Sequence, residues 1–238
     1  RLDLALFDPL LVPGGQRARG VLTIDTDITG PRGAPHVSGG AELTGGELQD
    51  YARGVRVSAV TASLKADGTR LTISQFRGTA GPGTISGSGS LDLAAPGLPV
   101  NMQFAARNAR PIVSDLLTAT VNGDVTLKGQ VRGQLDLSGK ADIVRGEINL
   151  PERFPPEVAV LNVRRRGQPR PPPPSSTSRI ALDMAISASG PIFVRGHGMD
   201  AVMGGDFHLS GTTADPQISG GFRLVRGTYS LGGQTLNF

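Results

Sequence analysis

Apolar and polar residues alternate with a period of two along most of this chain, and that pattern decides what it can fold into. It appears in LTIDTDI (22–28), RLTIS (70–74), SLDL (90–93), VNMQF (100–104), DVTLK (124–128), QLDLS (134–138), RIALDMAIS (179–187) and DFHLS (206–210). In each, Leu, Ile, Val, Met or Phe takes one side and Asp, Thr, Arg, Lys or Ser the other, the signature of strands with one buried and one wet face. Asp67-Gly68 and Asn122-Gly123 suit turns that need positive φ. Gly45-Gly46, Gly204-Gly205 and Gly232-Gly233 suit turns less specifically. Weak helical patterns occur only at VSDLLTATV (113–121) and around Glu47–Arg53. The expectation is an all-β chain of many strands, each of about five to eight residues.

A stacked sandwich and a sheet rolled on itself both satisfy that alternation, and internal repetition chooses between them. SGGAELTGGEL (38–48), SGKADIVRGEI (138–148) and SGGFRLVRGTY (219–229) are three copies of one eleven-residue sentence. A strand ending at Gly30, Gly129 or Gly211 precedes each copy, and Pro35 and Pro216 lie three residues before the Ser in two of them. Each copy reads as two short strands joined at Gly46, Gly146 or Gly227. Self-similarity of this kind marks an array built by nearest-neighbour stacking.

Composition agrees with something thin rather than thick. Gly is 34 residues and Pro 18, Trp is absent, and aromatics make up 4%. A compact core normally draws much of its buried area from aromatics. With no cysteine, disulfides and thiolate metal sites are excluded. The net charge of +4 comes mostly from arginines that alternate with Asp, and their single cluster is Arg164-Arg165-Arg166. No basic stripe is interleaved with aromatics, so nucleic acid has no stacking platform. No apolar run reaches the roughly 18–20 residues of a membrane helix. The start at Arg1 without Met suggests a piece of a longer protein.

The vocabulary of catalysis is missing. Neither G-x-x-x-x-G-K-[ST] nor G-x-G-x-x-G occurs, so the glycines read as structural: turns, bulges and sharp bends. There is no G-x-S-x-G and no Cys nucleophile. His36, His197 and His208 form no ligand pair, and MGGD (203–206) is a lone partial likeness to calcium-binding nonapeptides. Asp25 and Asp27 share the wet face of one strand. The chain reads as no enzyme, with no cofactor and no metal.

Residues 164–178 interrupt the strands with a proline run that has no donors for a ladder, and read as a disordered loop. The flanking stretches INLPERFPP (148–156), IFVRGHGMDAVMGGDFHLSG (192–211) and PQISGGFRLVRGTY (216–229) resemble the C-terminal domain of the TamB family, the translocation and assembly module subunits. The specific motifs cover about 120–238, and LTISQFRGTAGPGTISGSGSLDL (71–93) resembles the upstream AsmA-like repeat more loosely. The resemblance implies an AsmA-like β-repeat region at 1–110, the first part of the TamB domain at 111–163, the loop at 164–178, and a continuation at 179–238 that stops short of the family's usual end.

It also implies a β-taco, an elongated open solenoid-like groove with an apolar interior. Its setting would be the periplasm, in a protein anchored in the inner membrane by a helix outside this sequence. Its partners would be phospholipid acyl chains, a TamA-like Omp85-type outer-membrane protein, and nascent outer-membrane proteins. The expected lining is Leu22, Ile24, Ile28, Leu71, Ile73, Leu91, Leu93, Val100, Met102, Phe104, Val125, Leu127, Leu182, Met184, Ile186, Phe207, Leu209, Phe222 and Leu224. About eighteen strands would stack to roughly 85 Å. Two other readings fit the residues: a chaperone-like module that captures strands on an open sheet edge, and a closed, dry structural array.

Overall fold

Each strand in this chain is too apolar on one side to stand alone and too polar on the other to be covered on both. The computed structural model resolves that conflict with one continuous thirteen-stranded sheet. It describes residues 1–30, 36–51, 54–151 and 180–238; the proline run and Pro35 lie outside them. The strands are β1 (Leu2–Asp3), β2 (Gln16–Thr29), β3 (His36–Asp50), β4 (Val55–Gly68), β5 (Arg70–Ala80), β6 (Gly83–Asp92), β7 (Pro99–Val113), β8 (Leu117–Gln130), β9 (Leu135–Asn149), β10 (Ile180–Gly196), β11 (Met199–Thr212), β12 (Asp215–Leu231) and β13 (Gln234–Asn237). They lie side by side in chain order. Every neighbouring pair is antiparallel except β9–β10, which is parallel. Short helical turns, Leu4–Phe7, Asp8–Leu11 and Val12–Gly14, follow β1, and Asp8 meets Arg19 of β2 at 2.7 Å. Twelve spacings of about 4.8 Å make the stack roughly 58 Å long, shorter than the expected 85 Å.

The strands are fewer and longer than the alternation suggested, because several expected turns lie inside strands. Asn122-Gly123 is in the middle of β8, Gly45-Gly46 in β3 and Gly204-Gly205 in β11, whereas Asp67-Gly68 and Gly232-Gly233 do sit at strand ends. The helical readings also give way. Glu47–Asp50 completes β3, and 113–121 is a strand end, a turn and the start of β8. The turn is tied by Ser114, whose hydroxyl oxygen accepts the Leu117 N–H at 3.1 Å while its own N–H donates to the Leu117 carbonyl at 3.0 Å.

The three repeat copies fall within β3, β9 and β12 and encode a bent strand rather than two strands. Pairing slips by a residue at Thr44-Gly45 in β3, between Ile143 and Arg145 in β9, and between Leu224 and Arg226 in β12. Such a slip is a β-bulge, which bends and twists the strand. The second residue of each copy has a reason to be glycine. Gly39, Gly139 and Gly220 have φ of 113°, 153° and 112°. A side chain there would lie 2.2, 2.2 and 2.4 Å from the carbonyl oxygens of Asp25, Asp124 and Asp206 on the preceding strand.

Candidate functional site: the apolar face

Direct cross-strand partners project to the same side of a sheet, so the register shows what each face presents. One row runs Leu22, Leu43, Ala62, Phe76, Gly87, Phe104, Val125, Gly139, Met184, Leu209, Ile218. The next runs Ile24, Ala41, Leu64, Ile73, Gly89, Met102, Leu127, Leu137, Leu182. No polar side chain interrupts either row. Leu71, Leu91 and Val100 are partners in a third, and Ile186 pairs with Phe207. Phe222 and Leu224, opposite Gly205 and Met203, and Ile28, opposite Val37, belong to the same face. Leu93 lies one residue past β6, its N–H bonded to the Thr69 carbonyl at 2.7 Å. The register thus brings all the strand residues of the expected lining onto one side. Leu43, Leu64, Phe76, Leu135, Leu137 and Ile218 join them there; the alternation missed several because a bulge breaks their phase.

The apolar face is not the core of a sandwich. Among the described residues the buried hydrophobics are Val57, Val60, Ala80, Ala109, Met184, Ile192, Val194 and Ala201, and no large side chain is fully buried. The rest stay half-exposed or open, reaching 72% exposure at Ile28 and 70% at Ile218. Aromatics are fitted so that they do not fill the space. Phe76 and Phe104 both pair with Gly87, Phe207 with Gly220, and Phe222 with Gly205. A side chain at Gly87 would lie 2.9 Å from the Phe104 ring, so the ring covers the glycine's backbone. Phe207 and Phe222 meet with ring centres 5.2 Å apart. Replacing Phe104 with Ala uncovers Gly87 and is expected to destabilise the sheet by about 1–3 kcal/mol, below the 3–5 of a fully buried Phe. Urea titration of the variant checks this.

The other face is wet and carries the charges. Arg107–Asp124 (2.7 Å), Arg145–Glu147 (2.8 Å) and Arg56–Glu47 (2.8 Å) are exposed pairs worth little for stability. A shallow concavity of about 970 Å³ crosses β7–β12 on this side, edged by Arg107, Asp124, Lys140, Asp142, Asp206 and His208. Its mixed charges select no ligand of one sign. Asp142 is engaged within the protein. The hydroxyl of Ser189, helped by the Ser189 N–H and the Ser187 hydroxyl, holds its carboxyl below the usual carboxylate range. Among the described residues no group of three His, Asp or Glu side chains is placed to hold a metal.

Two apolar rows cross this continuous sheet without a polar break, and the sequence matches the TamB C-terminal domain over residues 71–238. The chain belongs to the TamB family. No curated protein and no solved structure matches it. In this TamB-family chain, no described helix is long and apolar enough to cross a membrane.

Proposed function

We propose that the apolar face is a trough that holds phospholipid acyl chains and passes them along the stack between the inner and outer membranes of the periplasm. The observation that carries this reading is the pair of apolar rows running from strand to strand without a polar break. Each methylene of an acyl chain exposed to water costs about 0.8 kcal/mol, on the order of 12 kcal/mol for a ~16-carbon chain. A conduit must therefore offer apolar surface at every rung, and the half-exposed Leu, Ile, Met and Phe side chains do so. Delivery to a TamA-like Omp85-type partner, and support of outer-membrane protein assembly, fit the family membership. The test is native purification followed by lipid extraction and mass spectrometry. Stoichiometric phospholipid supports the trough; a protein free of lipid that also fails to take up a fluorescent phospholipid from vesicles overturns it.

A second reading, capture of outer-membrane protein strands by β-augmentation, draws on β12. Among the described residues, only its 227–231 stretch has a neighbour on the far side, and residues 215–226 are exposed throughout. An open edge offers unpaired N–H and C=O groups to an added strand. Proline at successive positions from Gln217 to Arg223 is expected to abolish capture of an unfolded outer-membrane protein wherever the replaced N–H points outward. Pull-down with each variant decides it.

A further inference from the structure

We infer that Asn122 and Asp142 are positioning residues that fix the bend of the sheet and so set the width of the trough. As a statement about trough width, this rests on the reading above.

Most bulges fall on one line; those between Ile73 and Phe76 in β5 and between Ala109 and Ile112 in β7 lie off it. β3 carries an extra residue between Leu43 and Gly46, opposite Arg19–Val21 of β2, β4 carries one between Ser58 and Thr61, and β7 one between Ala106 and Ala109. β9, β10 and β12 slip between Ile143 and Arg145, Ala188 and Ile192, and Leu224 and Arg226. The ladder carries one slip to the next: Ser58 in β4 leads through Thr79 and Thr84 to Arg107 in β7. Asn122 in β8 pairs with Asp142 in β9, and Asp142 with Ser187 in β10. The slips thus form one crease across the strands. In β3, β4, β7, β9 and β12 one extra residue lies between two apolar-face positions, and in β10 two do relative to β11. That lengthens the outer side, so the strands bend around the apolar side. The side chains buried beside this line on the apolar face, Val60 at 5% exposure, Ala109 at 0% and Ile192 at 3%, are those such a bend would cover.

A bulge leaves backbone groups without ladder partners. Two side chains on the outer face supply them, reaching in opposite directions from neighbouring strands. In β7 the bulged residue Asn108 is held at φ 49°, and its N–H donates to Asn122 Oδ1 at 2.7 Å. In β10 the Ser189 N–H donates to Asp142 Oδ1 at 2.9 Å, the Ser187 hydroxyl donates to the same oxygen at 3.1 Å, and the Ser189 hydroxyl donates to Oδ2. Between them Asn122 and Asp142 clamp four adjacent strands at the crease. Neither touches the apolar face, so they act on any cargo only through the angle they hold.

The chain has no cysteine, so Cys introduced at Thr118 and Lys128, on either side of the crease in β8, can carry spin labels cleanly. A straight strand would separate these positions by roughly 34 Å. With Asn122 and Asp142 present, pulsed dipolar spectroscopy should give a narrow distribution centred below that span. Asn122→Leu combined with Asp142→Leu is expected to broaden it and move it toward the straight value by several ångströms, whereas Asn122→Asp, which keeps the accepting oxygen, leaves it in place. An unchanged distribution in the double variant overturns the assignment, as does an Asn122→Asp shift equal to the Leu shift. Should circular dichroism show the double variant unfolded, Asn122→Ala and Ser189→Ala, each removing part of one clamp, must broaden the distribution, and no broadening in either overturns it. Extracted phospholipid is measured in parallel. If the distances respond while no form of the protein holds lipid, the trough reading falls and the assignment of the bend survives.

Discussion

Arginine in place of Leu127 or Leu209 is expected to lower the phospholipid recovered with the protein about a hundredfold while leaving the sheet folded. Leu127 stands between Met102 and Leu137, and Leu209 between Met184 and Ile218, both in rows that cross the apolar face. A guanidinium there faces the hydrocarbon it would have to accommodate. A cation in the middle of an apolar phase costs about 2.5–3.5 kcal/mol on insertion scales, which is roughly two decades of occupancy. The fold tolerates the change because both leucines are only half-buried, and a long side chain can lie along the open face with its charge in water. Lys128→Leu, on the wet side of the same strand, serves as the control and should leave lipid content unaltered. Lipid recovery at the unsubstituted level from both arginine variants would remove the trough as the place where lipid sits.

What the chain declares in its sequence, and what it conceals, divides along that crease. Alternation is readable wherever a strand keeps its phase, as in DVTLK, so the apolar side of β8 is visible from Val125 and Leu127 alone. A bulge adds one residue and shifts the phase. In ELTGGEL the inner positions Leu43 and Gly46 are three apart instead of two, and read linearly the shift looks like one strand ending and another beginning. The repeats were therefore legible as repeats, but their glycines look like joints between strands when they lie inside bent ones. Asn122 shows the limit most sharply. Followed by glycine it carries a hairpin signal, yet its side-chain oxygen is spent sideways on the Asn108 N–H of another strand. Nothing local to residues 122–123 marks that partner. The clamp of Asp142 on Ser187 and Ser189 spans 45 and 47 residues and is equally silent.

Gly39 and Gly45 separate the two uses this chain makes of glycine, and substituting them is expected to give very different results. Gly39 has φ 113°, and a side chain would lie 2.2 Å from the Asp25 carbonyl oxygen and 2.9 Å from the Thr26 Cα. Both atoms are backbone in the neighbouring strand, so nothing can swing aside. Gly39→Val therefore combines a backbone region closed to β-branched residues with a clash, about 1–3 kcal/mol each. Gly45 has φ 59° with nothing within 4 Å, a left-handed position that asparagine adopts readily; Gly45→Asn should cost less than about 0.5 kcal/mol. Because a stacked array is stabilised by nearest neighbours, the damage from Gly39→Val stays local. Hydrogen exchange of Val21–Ile28 in β2 should accelerate by about a hundredfold, the equivalent of roughly 3 kcal/mol, while β8 and β9 keep their protection. Equal effects from Gly39→Val and Gly45→Asn would show that the close approach at Asp25 does not hold β2 to β3. Loss of protection throughout the sheet would show that the stack unfolds as one body, in which case a bend fixed at β7–β10 would be felt at both ends.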